Sequence, residues 1–301
     1  MNAPVLVDAH HHLWDLSQRP QPWLDDPAVA SIRRTFTPGD LRSTATHPIA
    51  GRRLHGTVVV QCVAEVAESE DLLALAEREP LIQAVVGWAD LTSPAIGDVL
   101  DRLTAGPGGG YLRSLRHLVQ GETDPNWLQR PDVEHGLGAA RDRGLRYDVL
   151  VRDHQLDQAT RLAERFPDLP LVLDHAGKPD VARQDIADWE RGIRVLAGHP
   201  QVVCKVSGLI TEADHAHWTT ADIRPVWDVL VSAFGPARLM FGSDWPVAGL
   251  AGGWNRWAAT VDELLTGWSE SDVDALLAGT ATAFYGLAPA AGEGDAAART
   301  T

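Results

Sequence analysis

The stretch "VLVDAHHHLWD" (Val5–Asp15) is the one on which the fold turns. A short apolar run of strand character passes directly into three consecutive histidines, flanked by carboxylates. An open, doubly wound sheet usually announces itself by a glycine-rich phosphate turn after its first strand. No such turn follows here, and the cluster "GPGGG" (Gly106–Gly110) precedes a strand-like run rather than a helix, so it reads as a plain loop.

Further runs of the same kind recur along the chain. They are "GTVVVQC", "IQAVVGW", "YLRSLRH", "LRYDVLV", "LVLDHAG", "VVCKVSG" and "RLMFGSD". Their Val, Ile and Leu content suits strands covered on both faces. Amphipathic stretches such as "SEDLLALAERE", "HQLDQATRLAERF" and "WDVLVSAFG" lie between them. Alternation of this kind implies parallel βαβ units, and eight of them predict an α/β fold, a single (β/α)8 barrel. One domain is expected over residues 1–288, and a disordered tail, poor in apolar residues, over 289–301. The long Pro- and Trp-containing segment after the first strand, Trp14 to Leu41, is expected to cover the barrel mouth as a lid.

The composition bounds the function. With 301 residues, 45% hydrophobic and 22% charged, the chain has the mix of a globular protein. A net charge of -15, from 41 acids against 26 bases, argues against nucleic acid as a partner. No apolar run reaches the roughly 18 residues of a membrane helix, and the N-terminus has no export signal, so a cytoplasmic enzyme without a membrane partner is expected. The two cysteines, Cys62 and Cys204, sit in strand-like runs and read as buried free thiols. A homo-oligomer stays open.

In such a barrel the active site lies at the C-terminal strand ends. There the chain places His10 and His12, Arg116 and His117, Asp174 and His175, Lys205 and Ser207, and Asp244. The fifth strand carries Tyr147 and Asp148, with Arg152 and His154 just beyond. Side-chain alternation puts Asp8, His10 and His12 on one face and turns His11 outward against a helix. Asp244 in "FGSDWP" can take a proton from water or help hold a metal, although Asp there also suits a helix cap. No G-x-S-x-G elbow and no H-E-x-x-H occurs, so water addition is better supported than an acyl-enzyme.

Six segments, "DAHHHLWD", "RHLVQGETDPNWL", "YDVLVRDHQL", "FPDLPLVLDHAGKPD", "VVCKVSGLITEADHAHW" and "RLMFGSDWPV", occur in that order. Together they resemble the amidohydrolase superfamily, in its amidohydrolase-2-type branch. Characterised members of that branch are sugar-acid lactonases, L-fuconolactonase and L-rhamnonolactonase among them, and dicarboxylate lactonases. The resemblance implies that His10, His12, His175 and Asp244 are catalytic. It also implies that Asp244 is the base and that the histidines stabilise an oxyanion. The same four would form one divalent metal site, zinc before others, unless the site works without metal. Arg116, His117, Tyr147, Trp14, Lys178 and Trp245 are expected to bind substrate, an anionic or polyhydroxylated lactone. No strand-four lysine suited to bridging two metals is present, so a two-metal centre is not expected. Alternatives are a metal-dependent amidohydrolase or decarboxylase of a small carboxylated metabolite, and a non-catalytic binding barrel.

Overall fold

A computed structural model describes residues 4–288, so the expected disordered tail at 289–301 lies outside the described residues. Eight parallel strands follow one another around a single sheet in chain order. They are β1 (Leu6–His11), β2 (Leu54–Val60), β3 (Ile82–Gly87), β4 (Leu112–His117), β5 (Arg146–Val149), β6 (Leu171–Leu173), β7 (Val202–Val206) and β8 (Leu239–Phe241). The seam closes beyond β8, where the His12 N–H donates to Trp245 O at 2.7 Å and the Asp244 N–H to His10 O at 2.8 Å. The eight strands are the eight runs read from the sequence. Helices cover the outside, among them α2 (Val66–Arg78), α3 (Ile96–Ala105), α4 (Pro131–Asp142), α5 (Leu156–Arg165), α6 (Ala187–Leu196) and α7 (Thr220–Phe234).

Two apolar layers follow from strand alternation. Val58, Val60, Ala84, Val86, Val172 and Met240 fill the barrel, together with Val7 and Ala9. Leu6, Val59, Val85, Leu115, Tyr147, Leu171 and Val206 face the helices. In α5, Leu156, Ala159, Leu162 and Ala163 recur at helical spacing and are buried, which is why that segment lies flat on the sheet. A short C-terminal helix, Thr280–Tyr285, sends Ala281 and Tyr285 into the interior cluster.

One local expectation fails. Register shifts between Asp8 and His11 mark an irregularity in β1, and Val7 and Ala9, not Asp8, pack with the interior cluster. Alternation is therefore interrupted before His10, and Asp8 does not share the face of His10 and His12. Its carboxylate instead accepts from the Ser243 N–H at 2.8 Å and the Ser243 hydroxyl at 2.6 Å. Asp8 thus anchors the turn that carries Asp244, and burial pushes its carboxyl up to about 7. His11 is buried with both ring nitrogens unpartnered, and burial pushes its imidazole down to about 3.

The segment after β1 is not structureless. It holds two 3-10 turns, Pro22–Asp25 and Pro27–Ile32, and a helix, Pro38–Thr44, begun by a reciprocal Thr37–Asp40 capping box. Arg19 ties the segment to α2 through Glu65 and through Asp71 at 2.7 Å.

Candidate active site

Four buried side chains converge where the barrel closes. His10 Nε2 and His12 Nε2 are 3.3 Å apart. Asp244 Oδ1 lies 3.5 Å from His12 Nε2, 3.8 Å from His10 Nε2 and 3.9 Å from His175 Nε2. Ligands on a tetrahedral ion with bonds of about 2.0–2.1 Å stand about 3.4 Å from one another. His10, His175 and Asp244 each bring a donor atom within 4.8 Å of the others, a set that fits a single divalent ion, while His12 stands beside it and outside that mutual set.

Each imidazole is oriented by a partner at its other nitrogen. His12 Nδ1 donates to Val60 O at 2.8 Å, which leaves its Nε2 lone pair facing the centre. His175 Nδ1 meets Ser207 Oγ at 3.0 Å. His10 Nδ1 lies 3.1 Å from Lys205 Nζ and 3.3 Å from Asp174 Oδ1. Second partners of this kind set ring direction and tautomer.

The backbone is held in costly conformations at the same places. His175, Ala176 and Lys178 have φ of 52°, 52° and 54°, and Asp244 has φ of 55°. Non-glycine residues in this left-handed region cost on the order of 1 kcal/mol each and concentrate at functional sites. After β6 this left-handed turn keeps His175 at the barrel mouth. Gly208 (φ +64°) is needed beside it, because a Cβ there would lie 2.6 Å from His175 Nδ1 and 3.1 Å from Asp244 Oδ2.

Burial dominates the electrostatics. It pushes His175 down to about 4, against the opposing pull of Asp244 and Asp174. Burial, helped by the nearby Lys205 charge, holds His10 well below the ordinary imidazole range. For Asp244, burial alone would raise the carboxyl. The His175 interaction and a hydrogen bond from His12 outweigh it and hold the group below the usual carboxylate range. Burial thus favours the neutral form of His10 and His175, beside a carboxylate held toward its ionised form.

A pocket of about 460 Å³ opens onto this cluster. His12, His175, Asp244, Arg116 and Lys178 supply its charged and ionisable lining, and Leu118, Leu150, Val63 and Val247 its apolar wall. Pro22 and Trp23, from the segment after β1, complete it. Arg116 is engaged by Asp174 at 3.1 Å and Gln61 O at 2.5 Å. Lys178 pairs with Glu212 at 3.1 Å.

Several expected substrate contacts lie elsewhere. His117, next to the inward Arg116, points out: its Nδ1 accepts from Trp88 Nε1 at 3.1 Å, its Nε2 meets Glu122 at 2.7 Å, and its ring stacks on Trp127 at 4.0 Å. Tyr147 packs in the outer layer for the same reason of parity, while Asp148 beside it turns inward. Trp14 sits behind Trp23, edge-on at 5.3 Å, and Trp245 packs on Phe36; neither lines the pocket. Arg152 and His154 are exposed. Cys62 falls just past β2 and lines the pocket, rather than lying within a strand. Lys205, Asp148 and Asp174 gain no role from sequence reasoning. Charged residues inside apolar strands are the available signal, since unpaired charges are almost never buried.

The chain is similar to several known proteins along most of its length. A family model described as Amidohydrolase matches residues 7–287. An L-fucono-1,5-lactonase from Burkholderia multivorans is 36% identical over 297 residues, covering 93% of this chain and 96% of that protein. A crystal structure of an amidohydrolase from Burkholderia multivorans with bound Zn superposes with a TM-score of 0.86 at 35% identity, over 94% of this chain and 100% of that one. A putative 2-pyrone-4,6-dicarboxylic acid hydrolase from Pseudomonas putida, at 22% identity and a TM-score of 0.70 over 94% of this chain and 98% of its own, shares the fold. No helix among the described residues is long and apolar enough to cross a membrane. Matched along nearly its whole length, the chain belongs to the amidohydrolase family.

Proposed function

We propose that this protein is a lactonase that opens a neutral, polyhydroxylated sugar-acid lactone by adding water. The observation that carries the reading is the Asp244 carboxylate within 3.9 Å of the His10, His12 and His175 imidazoles at the foot of a pocket. The lactonase relatives support the class of reaction.

Asp244 takes one proton from water as the hydroxyl adds to the lactone carbonyl carbon. His10 and His175 face the carbonyl oxygen as negative charge grows on it. Asp244 then returns its proton to the ring oxygen as the ring C–O bond breaks, giving a hydroxy acid. That acid ionises and releases the proton an indicator reads. A divalent ion in the His10, His175 and Asp244 set, zinc being the best match, would add Lewis acidity toward the carbonyl oxygen.

Charge in the pocket argues for a neutral substrate over an anionic one. Both cations of its lining, Arg116 and Lys178, are already paired, with Asp174 and Glu212. A substrate carboxylate would meet the Asp244 charge with no uncommitted cation in that lining. Trp23 adds an aromatic face suited to sugar C–H surfaces.

The test is an indicator-based screen of aldonolactones of both hands beside dicarboxylate lactones, with and without zinc or manganese. Neutral aldonolactones should turn over at least tenfold faster than dicarboxylates. A screen in which no neutral lactone opens would overturn the reading. Metal-dependent amide hydrolysis would instead show as turnover of amides that chelation abolishes.

A further inference from the structure

Within the barrel, against His10, lies a group of buried charges that the proposed reaction does not use. Lys205 Nζ is 2.5 Å from Asp148 Oδ2, 3.0 Å from Asp174 Oδ1 and 3.1 Å from His10 Nδ1. Asp148 also accepts from the Ser114 hydroxyl at 2.5 Å and from the Tyr285 hydroxyl at 2.8 Å, the latter reaching in from the C-terminal helix. Lys205, Asp148, Asp174 and Tyr285 are all fully buried. Burying ions costs several kcal/mol each, and apolar residues of similar size often give equal or better stability. Stability alone does not account for this arrangement.

His10 Nδ1 faces a donor and an acceptor at nearly the same range. Lys205 can only donate, and an ionised Asp174 can only accept. If Nδ1 accepts from Lys205, the ring proton sits on Nε2. It then points toward His12 Nε2 at 3.3 Å, which is free to accept because the His12 proton is on Nδ1 against Val60 O. Holding a cation needs the other tautomer, with the Nε2 lone pair inward and Nδ1–H on Asp174.

We infer that Lys205 is a positioning residue that selects the Nε2–H tautomer of His10, and thereby keeps the affinity of the site for divalent cations low. Asp148 and Tyr285 hold the ammonium in place. Two effects act in this direction, against the longer approach of the Arg116 Nη1 donor to His10 Nε2 at 3.4 Å. Lys205 competes with Asp174 for Nδ1, and its charge repels a cation bound at the nearby Nε2. The inference rests on His10 belonging to the site, and not on which substrate is turned over.

The test needs no substrate. Nitrogen-15 histidine spectra of the metal-free protein, with His10 assigned by its loss in His10→Gln, report which nitrogen carries the proton. Zinc affinity, by competition with a chromophoric chelator, is compared between wild type and Lys205→Met/Asp148→Asn. That pair removes one charge of each sign and leaves an amide whose oxygen accepts from Tyr285 and whose NH2 donates to the Ser114 hydroxyl. We expect Nε2–H in the wild type and zinc binding about tenfold tighter in the variant. A wild-type His10 protonated at Nδ1, or zinc binding no tighter in the variant (absent binding included), overturns the inference. Should the double variant fail to fold, the wild-type spectrum decides it alone.

Discussion

His12 Nε2 stands 3.5 Å from Asp244 Oδ1, with one residue just past the end of β1 and the other just past β8. The site is therefore assembled at the seam of the barrel. The backbone bonds that close it, His12 N–H to Trp245 O and Asp244 N–H to His10 O, belong to the same residues. Closure of the barrel thus brings together residues that lie far apart in the sequence.

Arg116 and His117 are neighbours in sequence with opposite roles. Arg116→Met should lower kcat/KM by at least a hundredfold, because it removes a pocket cation and the partner of Asp174. His117→Ala should leave kcat/KM within about threefold and lower the melting temperature, since it breaks the Trp88 and Glu122 bonds and the Trp127 stack. Steady-state kinetics on the best lactone checks both, and equal losses in the two variants would count against the pocket described.

Gly208→Ala tests the geometry without removing a charged group. The added methyl would press on His175 Nδ1 and Asp244 Oδ2, and the positive φ adds strain. The expected outcome is a folded protein, by circular dichroism, with kcat reduced about a hundredfold or more. Retention of kcat would show that His175 tolerates displacement.

Trp23 should act on binding rather than chemistry. It lines the pocket from the segment after β1, propped by Trp14 and by its own bond to Gln21 at 2.9 Å. Trp23→Ala should raise KM about tenfold while kcat changes by less than threefold. A fall in kcat with KM unchanged would place the residue elsewhere in the reaction.

Acid sensitivity has an identifiable source in His11. The unfolded imidazole titrates near 6.5, whereas in the fold it is pushed down to about 3. Between these values the unfolded chain binds the extra proton, so stability rises with pH across that window and falls as pH drops below about 6.5. His11→Leu removes this linkage. Its unfolding free energy relative to wild type should be higher at pH 5 than at pH 7 by roughly 1–2 kcal/mol. Urea titrations at the two pH values measure it, and a difference independent of pH would contradict the burial argument.

Much of this is legible without the structure. Short apolar runs mark the eight strands, most of them rich in Val, Ile and Leu as strands covered on both faces are. The ionisable residues at their ends mark the catalytic rim. Parity is what misleads. The two-residue period that separates His10 from His11 also separates Arg116 from His117 and Asp148 from Tyr147, yet only the first pair, with its repeated histidine, draws the eye to it. Asp8 escapes for the opposite reason, since the irregularity in β1 breaks the period and nothing in "VDAHHH" announces it. Trp14 and Trp245 cannot be separated from Trp23 by composition, because an aromatic behind a wall and one in it look alike in sequence.

If Asp244 activates water for lactone opening, Asp244→Asn keeps the side-chain shape and removes the base. The decisive measurement is its kcat on the best aldonolactone, with zinc content matched to wild type. A loss of at least a thousandfold is expected in a protein of unchanged secondary structure. Turnover within tenfold of wild type would contradict it.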